Sequence, residues 1–316
     1  MTAFRIGSLG VTPSAYVGAG IVDLIIQLAG WAISASLQTD KLYDALGSTT
    51  FIVCALGTLT YAHFYYARQI VATVLVCIWG LRLGGFLVFR VIKAGGDSRF
   101  KDVKDKPLKY LIYWLLQAVW VWVTLFPVMV LNALPRNPGL WPSDIVGGVM
   151  WGVGFVCECM ADFQKYNFKQ NPQNKGKFID VGIWRWSQFP NYFGEMMQWW
   201  GIWLLCLASI NTEKGYYVTI ISPLFLMVLL LFVSGIPIQK KQANERYGSN
   251  PDFKIWQKTT PLLIPFPKYK FMKVSKQDVE QQLRVQSQKD EESNDDESQG
   301  PQGNRRAASR DIDHNS

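Results

Sequence analysis

Seven blocks of apolar residues, each near the length that crosses a bilayer, constrain this chain more than any other feature. They run at about Tyr16–Leu37, Leu46–Tyr66, Gln69–Ile92, Leu111–Leu134, Asp144–Asp162, Tyr192–Ile210 and Tyr216–Ile238, separated by short polar loops. About 20 apolar residues span the hydrocarbon core, and backbone polar groups there must be satisfied within the segment. The expected fold is therefore all-α: a polytopic membrane helical bundle of about seven transmembrane helices.

Charge orients the bundle. The chain carries a formal +8, but the stretch from Ser275 holds six Lys/Arg against ten Asp/Glu, a net −4, which leaves +12 on residues 1–274. That basicity gathers in three loops. Lys93, Arg99, Lys101, Lys104, Lys106 and Lys109 follow the third span. Lys165, Lys169, Lys175, Lys177 and Arg185 follow the fifth, and Lys240, Lys241 and Arg246 the seventh. The alternate loops hold little beyond Arg68, Arg136 and Lys214. With seven spans all three rich loops share one side with the C-terminus, and the positive-inside rule makes that side cytosolic and the N-terminal side lumenal. Topology and an anionic ligand explain the charge better than nucleic acid, which is not an expected partner. The composition divides the chain into an integral-membrane domain, residues 1–274, and a polar C-terminal tail, 275–316. The tail should be disordered for want of apolar residues. Within it, Arg305–Ser309 (RRAAS) has the form of a basophilic kinase site.

Redox and metal chemistry have little to work with. The five cysteines all lie in apolar blocks and are odd in number, so buried free thiols are expected. The two histidines, His63 and His314, leave no metal site to propose.

Polar residues inside apolar spans are expensive and should face the bundle or a cavity. Asp23 and Gln27 are such residues in the first span. In the third, Arg82 and Arg90 lie eight apart, about two turns, and so near one face. Gly80 and Gly84 form a small-x-x-x-small pair that permits close packing. The fifth span carries Gly148, Gly152 and Gly154, read as a packing face. No strand precedes them, so they are not a dinucleotide fingerprint. Glu158 and Asp162 share a face at its end, and Lys165 and Lys169 continue that line.

The sixth span opens with the most polar stretch of all, Gly182–Gly201, GIWRWSQFPNYFGEMMQWWG. Pro190 suits a first helical turn. Asn191 and Glu195 then share a face with Gly194 between them, and Arg185, Gln188 and Tyr192 stand close by. After Glu195 the chain turns apolar and aromatic. A carboxylate at such an entrance is paired, solvated or used.

GIWRWSQFPNYFGE resembles a signature of membrane proteins related to the steroid 5-alpha-reductases, and its Asn-x-x-Gly-Glu core is similar to that of the steroid and sterol reductases. The passage WGLRLGG to GGDSRF, the stretch ADFQKYNFK and the closing LIP also resemble that family, so the likeness runs from about Trp79 to Lys268. It implies a helical membrane enzyme with a cytosolic C-terminal cap, placed in the endoplasmic reticulum. That enzyme takes NADPH from the cytosol and reduces a carbon–carbon double bond in a lipid or sterol-like substrate. Two departures stand out. Gln188-Phe189 occupies a place where many relatives have Arg-His, and Gln239-Lys240 one where relatives often carry an acid.

The residues suit that chemistry on their own terms. A dinucleotide needs cations for its phosphates, and Arg82, Arg90, Lys169, Arg185 and Arg246 are candidates. Asp162, Asn191 and Tyr247 are candidates for ribose and carboxamide contacts. Glu195 and Tyr192 are the candidate catalytic residues, Glu195 with Asn191 at the nicotinamide, while the proton donor stays open. One alternative is a membrane methyltransferase using S-adenosylmethionine, whose relatives carry an R-H-P-x-Y-x-G element that this chain lacks. Another is a non-catalytic sterol-binding protein that kept the fold.

Overall fold

A computed structural model describes residues 12–94, 98–211 and 214–265, with single helical positions at 281 and 285. Among the described residues the regular structure is helical. It comprises α1 (Thr12–Ser36), α2 (Tyr43–Ala62), α3 (Ala67–Ala94), α4 (Pro107–Ala133), α5 (Pro142–Gln170), α6 (Pro190–Ile210), α7 (Ile221–Val228), α8 (Ile236–Tyr247) and α9 (Pro251–Thr259). Short 3-10 turns lie between several of them. Apart from those two positions the tail beyond Ser275, with its RRAAS motif, lies outside the described residues, as does Asp97 of the GGDSRF passage.

Six helical runs are long and apolar enough to cross a membrane: Ser14–Ser36, Tyr43–Ala62, Ala67–Lys93, Pro107–Ala133, Pro142–Gln170 and Tyr217–Tyr247. The expected sixth span is present as α6, a helix of 21 residues, but it is not among them. Its N-terminal half carries Asn191, Glu195 and Gln198 ahead of the apolar run, and Gln198 is fully buried. α5 outruns its expected end at Asp162 by two turns and reaches Gln170. In the last run, a π-helical turn over Leu229–Val233 and the Ser234–Gly235 break separate α7 from α8, with Pro237 in the first turn of α8. The SGIP sequence thus ends one helix and starts the next.

The bundle is apolar outside, and its intramembrane polar side chains turn inward. α5 buries Asp144, Gly147, Trp151, Gly154, Glu158 and Ala161 at three- and four-residue steps, and exposes Ile145, Val149, Val153 and Val156 on the opposite face. That is the arrangement a lipid solvent requires, since an outward valine costs nothing there and an outward carboxylate costs several kcal/mol (about 2.5–3.5 at the centre). The core is aromatic. Phe51 packs on Trp79, Trp120 and Trp199 with ring centroids 4.9, 4.8 and 5.6 Å apart, joining α2, α3, α4 and α6.

Glycines set the closest approach. An added Cβ on Gly154 would lie 2.5 Å from the carbonyl oxygen of Gly194, and one on Gly147 would lie 2.5 Å from that of Gly201, with the reverse contacts just as short. α5 and α6 therefore run antiparallel in backbone contact at two points, each pair one heptad from the other. Of the three glycines read from sequence as a packing face, Gly154 packs, whereas Gly148 and Gly152 have nothing within 4 Å of such a Cβ. Those two point outward, and Gly147 takes their place. Gly80 and Gly84 do pack as expected, against Ile52 and Ser48 of α2.

Polar side chains close the two ends. At the start of α3, Arg68 grips Asp144 of α5 with two bonds of 2.8 Å and also reaches Ser209 of α6 at 3.1 Å and Asn137 at 3.0 Å. This arginine, counted from sequence as a loop charge, is a buried clamp. Asp23 and Gln27 face inward, Gln27 donating to Thr50 at 3.2 Å and accepting from Gln117 at 3.1 Å. At the opposite end Arg99 meets Asp44, at the start of α2, at 2.6 Å, and Lys93 reaches Tyr166 of α5 at 2.6 Å. The described ends of α3, α5 and α8, with their lysines and arginines, thus gather at one end of the bundle.

A candidate functional site at the basic end

Three helices bring polar side chains together in a seam just inside that end. Arg82 of α3 sits between two carboxylates of α5. Its Nη1 is 2.5 Å from Glu158 Oε1, and its Nη2 pairs with Asp162. The i, i+4 spacing of the two acids puts both on the face toward α3. Gln198 of α6 donates to the other Glu158 oxygen at 2.7 Å. Glu195 stands one turn away, within electrostatic reach of Glu158, Arg82 and Asp162. The approach depends on Gly194, where a side chain would strike the backbone nitrogen and Cβ of Glu158 at 2.8 and 2.9 Å. Two carbonyl oxygens in the seam, Asn191 Oδ1 and Gln198 Oε1, are buried and have no hydrogen-bond partner. Unmet acceptors of this kind cost about 1–3 kcal/mol each, which a donor from a bound molecule would recover.

The entry to α6 is built by the ADFQK stretch of α5. Gln164 Oε1 accepts from the backbone N–H of Ile183 at 2.9 Å and fills the space beside Gly182, whose φ of +59° suits glycine. The indole of Trp184 donates to the Ala161 carbonyl at 2.9 Å. Lys165 lies over the Trp184 ring, 4.6 Å from its centroid, and donates to Gln239 Oε1 at 3.1 Å; Gln239 in turn donates through Nε2 to the Tyr192 hydroxyl at 2.7 Å. The hydroxyl accepts that bond, which leaves its own proton for another acceptor.

The C-terminal segment closes over this entry. Backbone N–H groups of Gln188 and Phe189 donate to the carbonyls of Pro261 and Leu262 at 2.9 and 3.1 Å. The Gln188 side chain donates to the carbonyls of Gln257 and Thr260 at 2.8 and 2.7 Å, and Ser187 Oγ donates to that of Leu263 at 2.6 Å. Both departures from the reductase pattern are therefore satisfied within the fold. Gln188 latches the cap, and Gln239 bridges α5, α6 and α8.

Beneath the cap lies an open pocket with a cavity volume of about 140 Å³, continuous with further space on the solvent side. Among the described residues its wall carries five cations, Lys165, Lys169, Lys177, Lys240 and Arg246, and no Asp or Glu. Its other surfaces are largely aromatic, from Phe168, Phe178, Trp184, Phe189, Tyr247, Phe253 and Trp256. A cationic cleft with flat apolar walls and several amide groups (Gln188, Gln239, Gln242 and Gln257) suits an anionic ligand with a ring system.

A family model described as a protein of unknown function, DUF1295, matches residues 30–260. The chain belongs to the DUF1295 family. The match covers every helix around the seam and the pocket. A further similarity is to a probable O-methyltransferase, ustE, of Ustilaginoidea virens, at 37% identity over 51 residues. That stretch is 16% of this chain and 18% of the relative, so the two share less than a fifth of either length. No solved structure matches.

The residues singled out from the sequence of this DUF1295 protein fall into three groups. Arg82, Asp162, Asn191 and Glu195 lie in or beside the seam. Lys169, Arg246 and Tyr247 line the pocket, and Tyr192 joins seam to pocket through Gln239. Arg90 lies at the margin: it is half exposed and 3.9 Å from Asp44, yet within electrostatic reach of Asp162, Lys165, Lys169 and Tyr192. Arg185 belongs to neither group, being exposed on the turn before α6 and not lining the pocket. Sequence reasoning passed over Glu158 and Gln198 as site residues, though the four-residue step from Glu158 to Asp162 pointed to the first. It also passed over Lys177, Phe178, Phe253 and Trp256, which come from segments that no local pattern connects.

Proposed function

We propose that this protein is a membrane oxidoreductase that uses NADPH to reduce a carbon–carbon double bond conjugated to a carbonyl in a lipid or sterol-like substrate. One observation carries the reading: a pocket lined by five cations and no acid adjoins a polar seam with unmet acceptors. The resemblance of the PNYFGE segment to steroid 5-alpha-reductase relatives supports it.

The residues fit the cofactor's parts. Lys169, Lys177, Lys240 and Arg246 suit its phosphates, Arg246 as a planar fork and the lysines as point charges. Asn191 Oδ1 suits the amide N–H of a carboxamide, with Glu195 beside it. When bound, NADPH supplies the hydride. The charge of Arg82 is already met by Glu158 and Asp162, so in this reading it organises the seam and does not grip a phosphate. Tyr192, accepting from Gln239, keeps its hydroxyl proton for an oxygen of the substrate. The apolar outer surface lets a lipid enter from the side. The basic end faces the cytosol, where NADPH is found, and the N-terminus lies on the lumenal side of the endoplasmic reticulum.

The partial likeness to a probable O-methyltransferase favours a second reading, a methyltransferase that uses S-adenosylmethionine. The charge of the pocket opposes it, because that cofactor carries a net positive charge, from a sulfonium, an ammonium and a carboxylate, toward a wall whose charged side chains are Lys165, Lys169, Lys177, Lys240 and Arg246. Thermal unfolding of the purified protein in detergent, with NADPH, NADH or S-adenosylmethionine added in turn, separates the two. The expected result is a rise in unfolding temperature with NADPH that Asn191→Ala reduces. A rise with S-adenosylmethionine alone overturns the reductase reading in favour of methyl transfer, and a rise with none of the three overturns both.

A further inference from the structure

The outer wall of the pocket is more specific than its charge. Phe178, Tyr247 and Trp256 come from the turn after α5, from α8 and from α9, and they meet around the fully buried ring of Phe253. Centroid separations run from 5.3 Å for Phe178–Phe253 to 6.2 Å for Phe178–Tyr247. The three outer rings are only half buried, so each keeps part of its surface uncovered while Phe253 holds them in place. Each end of this wall carries a cation from the adjoining residue: Lys177 before Phe178 and Arg246 before Tyr247, both exposed and both lining the pocket. The Trp256 Nε1 lies buried with no acceptor in the protein.

Ordinary cap packing would explain a buried ring cluster. It does not explain three half-buried rings turned to a cleft and flanked by cations with no acid among the lining residues. Flat π surfaces beside phosphate-binding cations are what a nucleotide base requires, since every base presents a face for stacking and carries its phosphates alongside. We propose that Phe178, Tyr247 and Trp256 form a purine subsite, with Lys177 and Arg246 taking the phosphates on the attached ribose. The Trp256 indole N–H is the donor available to a ring nitrogen or ribose oxygen seated against it. The subsite deepens the NADPH reading and rests on it for the identity of the dinucleotide, but it makes a separate demand, because an adenine nucleotide with no nicotinamide should occupy it.

The experiment is calorimetric titration of the full-length protein in detergent with adenosine 2′,5′-bisphosphate and, separately, with inorganic pyrophosphate. The bisphosphate is expected to bind at least about fivefold more tightly than pyrophosphate, the low end of base–aromatic stacking. Trp256→Leu and Phe178→Leu should each remove that advantage and leave pyrophosphate affinity unchanged. Equal affinity for the two probes in the unaltered protein overturns the subsite and leaves an anion pocket only, a result that needs no variant to fold. Unchanged bisphosphate affinity in both variants also overturns it. If NADPH binds while this pattern fails, only the subsite is lost. If the pattern holds and NADPH does not raise the unfolding temperature, the subsite stands and the reductase reading falls.

Discussion

Arg82 shows how one residue changes meaning between sequence and structure. As sequence it is a cation in an apolar helix and a candidate for phosphate. In the fold it is mostly buried between Glu158 and Asp162, and its charge serves the seam. Taking away one member of such a group leaves buried charge unmet, which costs about 3–5 kcal/mol. Arg82→Gln should therefore lower the unfolding temperature in detergent sharply, and Arg82→Lys less so, because the ammonium keeps the charge but loses the fork. An unchanged unfolding temperature in Arg82→Gln would mean that the ion pairs do not hold α3 to α5. The helical step from Glu158 to Asp162 was legible because both lie on one element. That Gln198 would meet Glu158 from α6 was not, since only the glycine contacts between the helices bring the two together.

At the scale of elements, most of the helix pattern could be read from apolar block lengths, and the turn before α6 from its Gly and Pro. Polarity and spacing led elsewhere in two places. α6 is as long as a span, but its first half carries Asn191, Glu195 and Gln198, on the part of the helix that serves the seam and not lipid. The α5–α6 contact follows a seven-residue spacing, Gly147 to Gly154 against Gly194 to Gly201, and a search for glycines four apart picks Gly148 and Gly152 instead. The antiparallel register decides which glycines matter, and a single helix does not encode it. This gives a paired prediction. Gly194→Ala should destabilise by about 1–3 kcal/mol, the usual cost of forcing atoms into a packed contact, while Gly148→Ala should be neutral or gain up to about 1 kcal/mol from helix propensity. Thermal unfolding of the two variants side by side checks it, and equal effects would contradict the contact.

For the whole molecule, the cations of α5 and α8 that the positive-inside rule would place in the cytosol also line the pocket, so the proposed topology and the proposed site rest on the same residues. Labelling in sealed microsomes with a membrane-impermeant maleimide tests the orientation. Lys101→Cys and Gln173→Cys should react from outside the vesicle, on the cytosolic face, and Leu140→Cys only after permeabilisation. Reaction of the first two on opposite faces would contradict a shared basic end. The pocket itself was only half legible. Its cations were visible as a charge pattern, but its aromatic wall is assembled from three segments by the cap, and the cap is held by carbonyl contacts of Gln188 that carry no sequence signature.

The central claim is that this pocket holds a phosphate-bearing dinucleotide. The most direct test is the equilibrium affinity of the purified protein for NADPH, measured with and without the Lys169→Ala/Arg246→Ala pair. The account predicts saturable binding that weakens at least about tenfold in the double variant, or about 1.4 kcal/mol, and weakens further as salt is added. NADPH affinity that is the same in both proteins and indifferent to salt would contradict it.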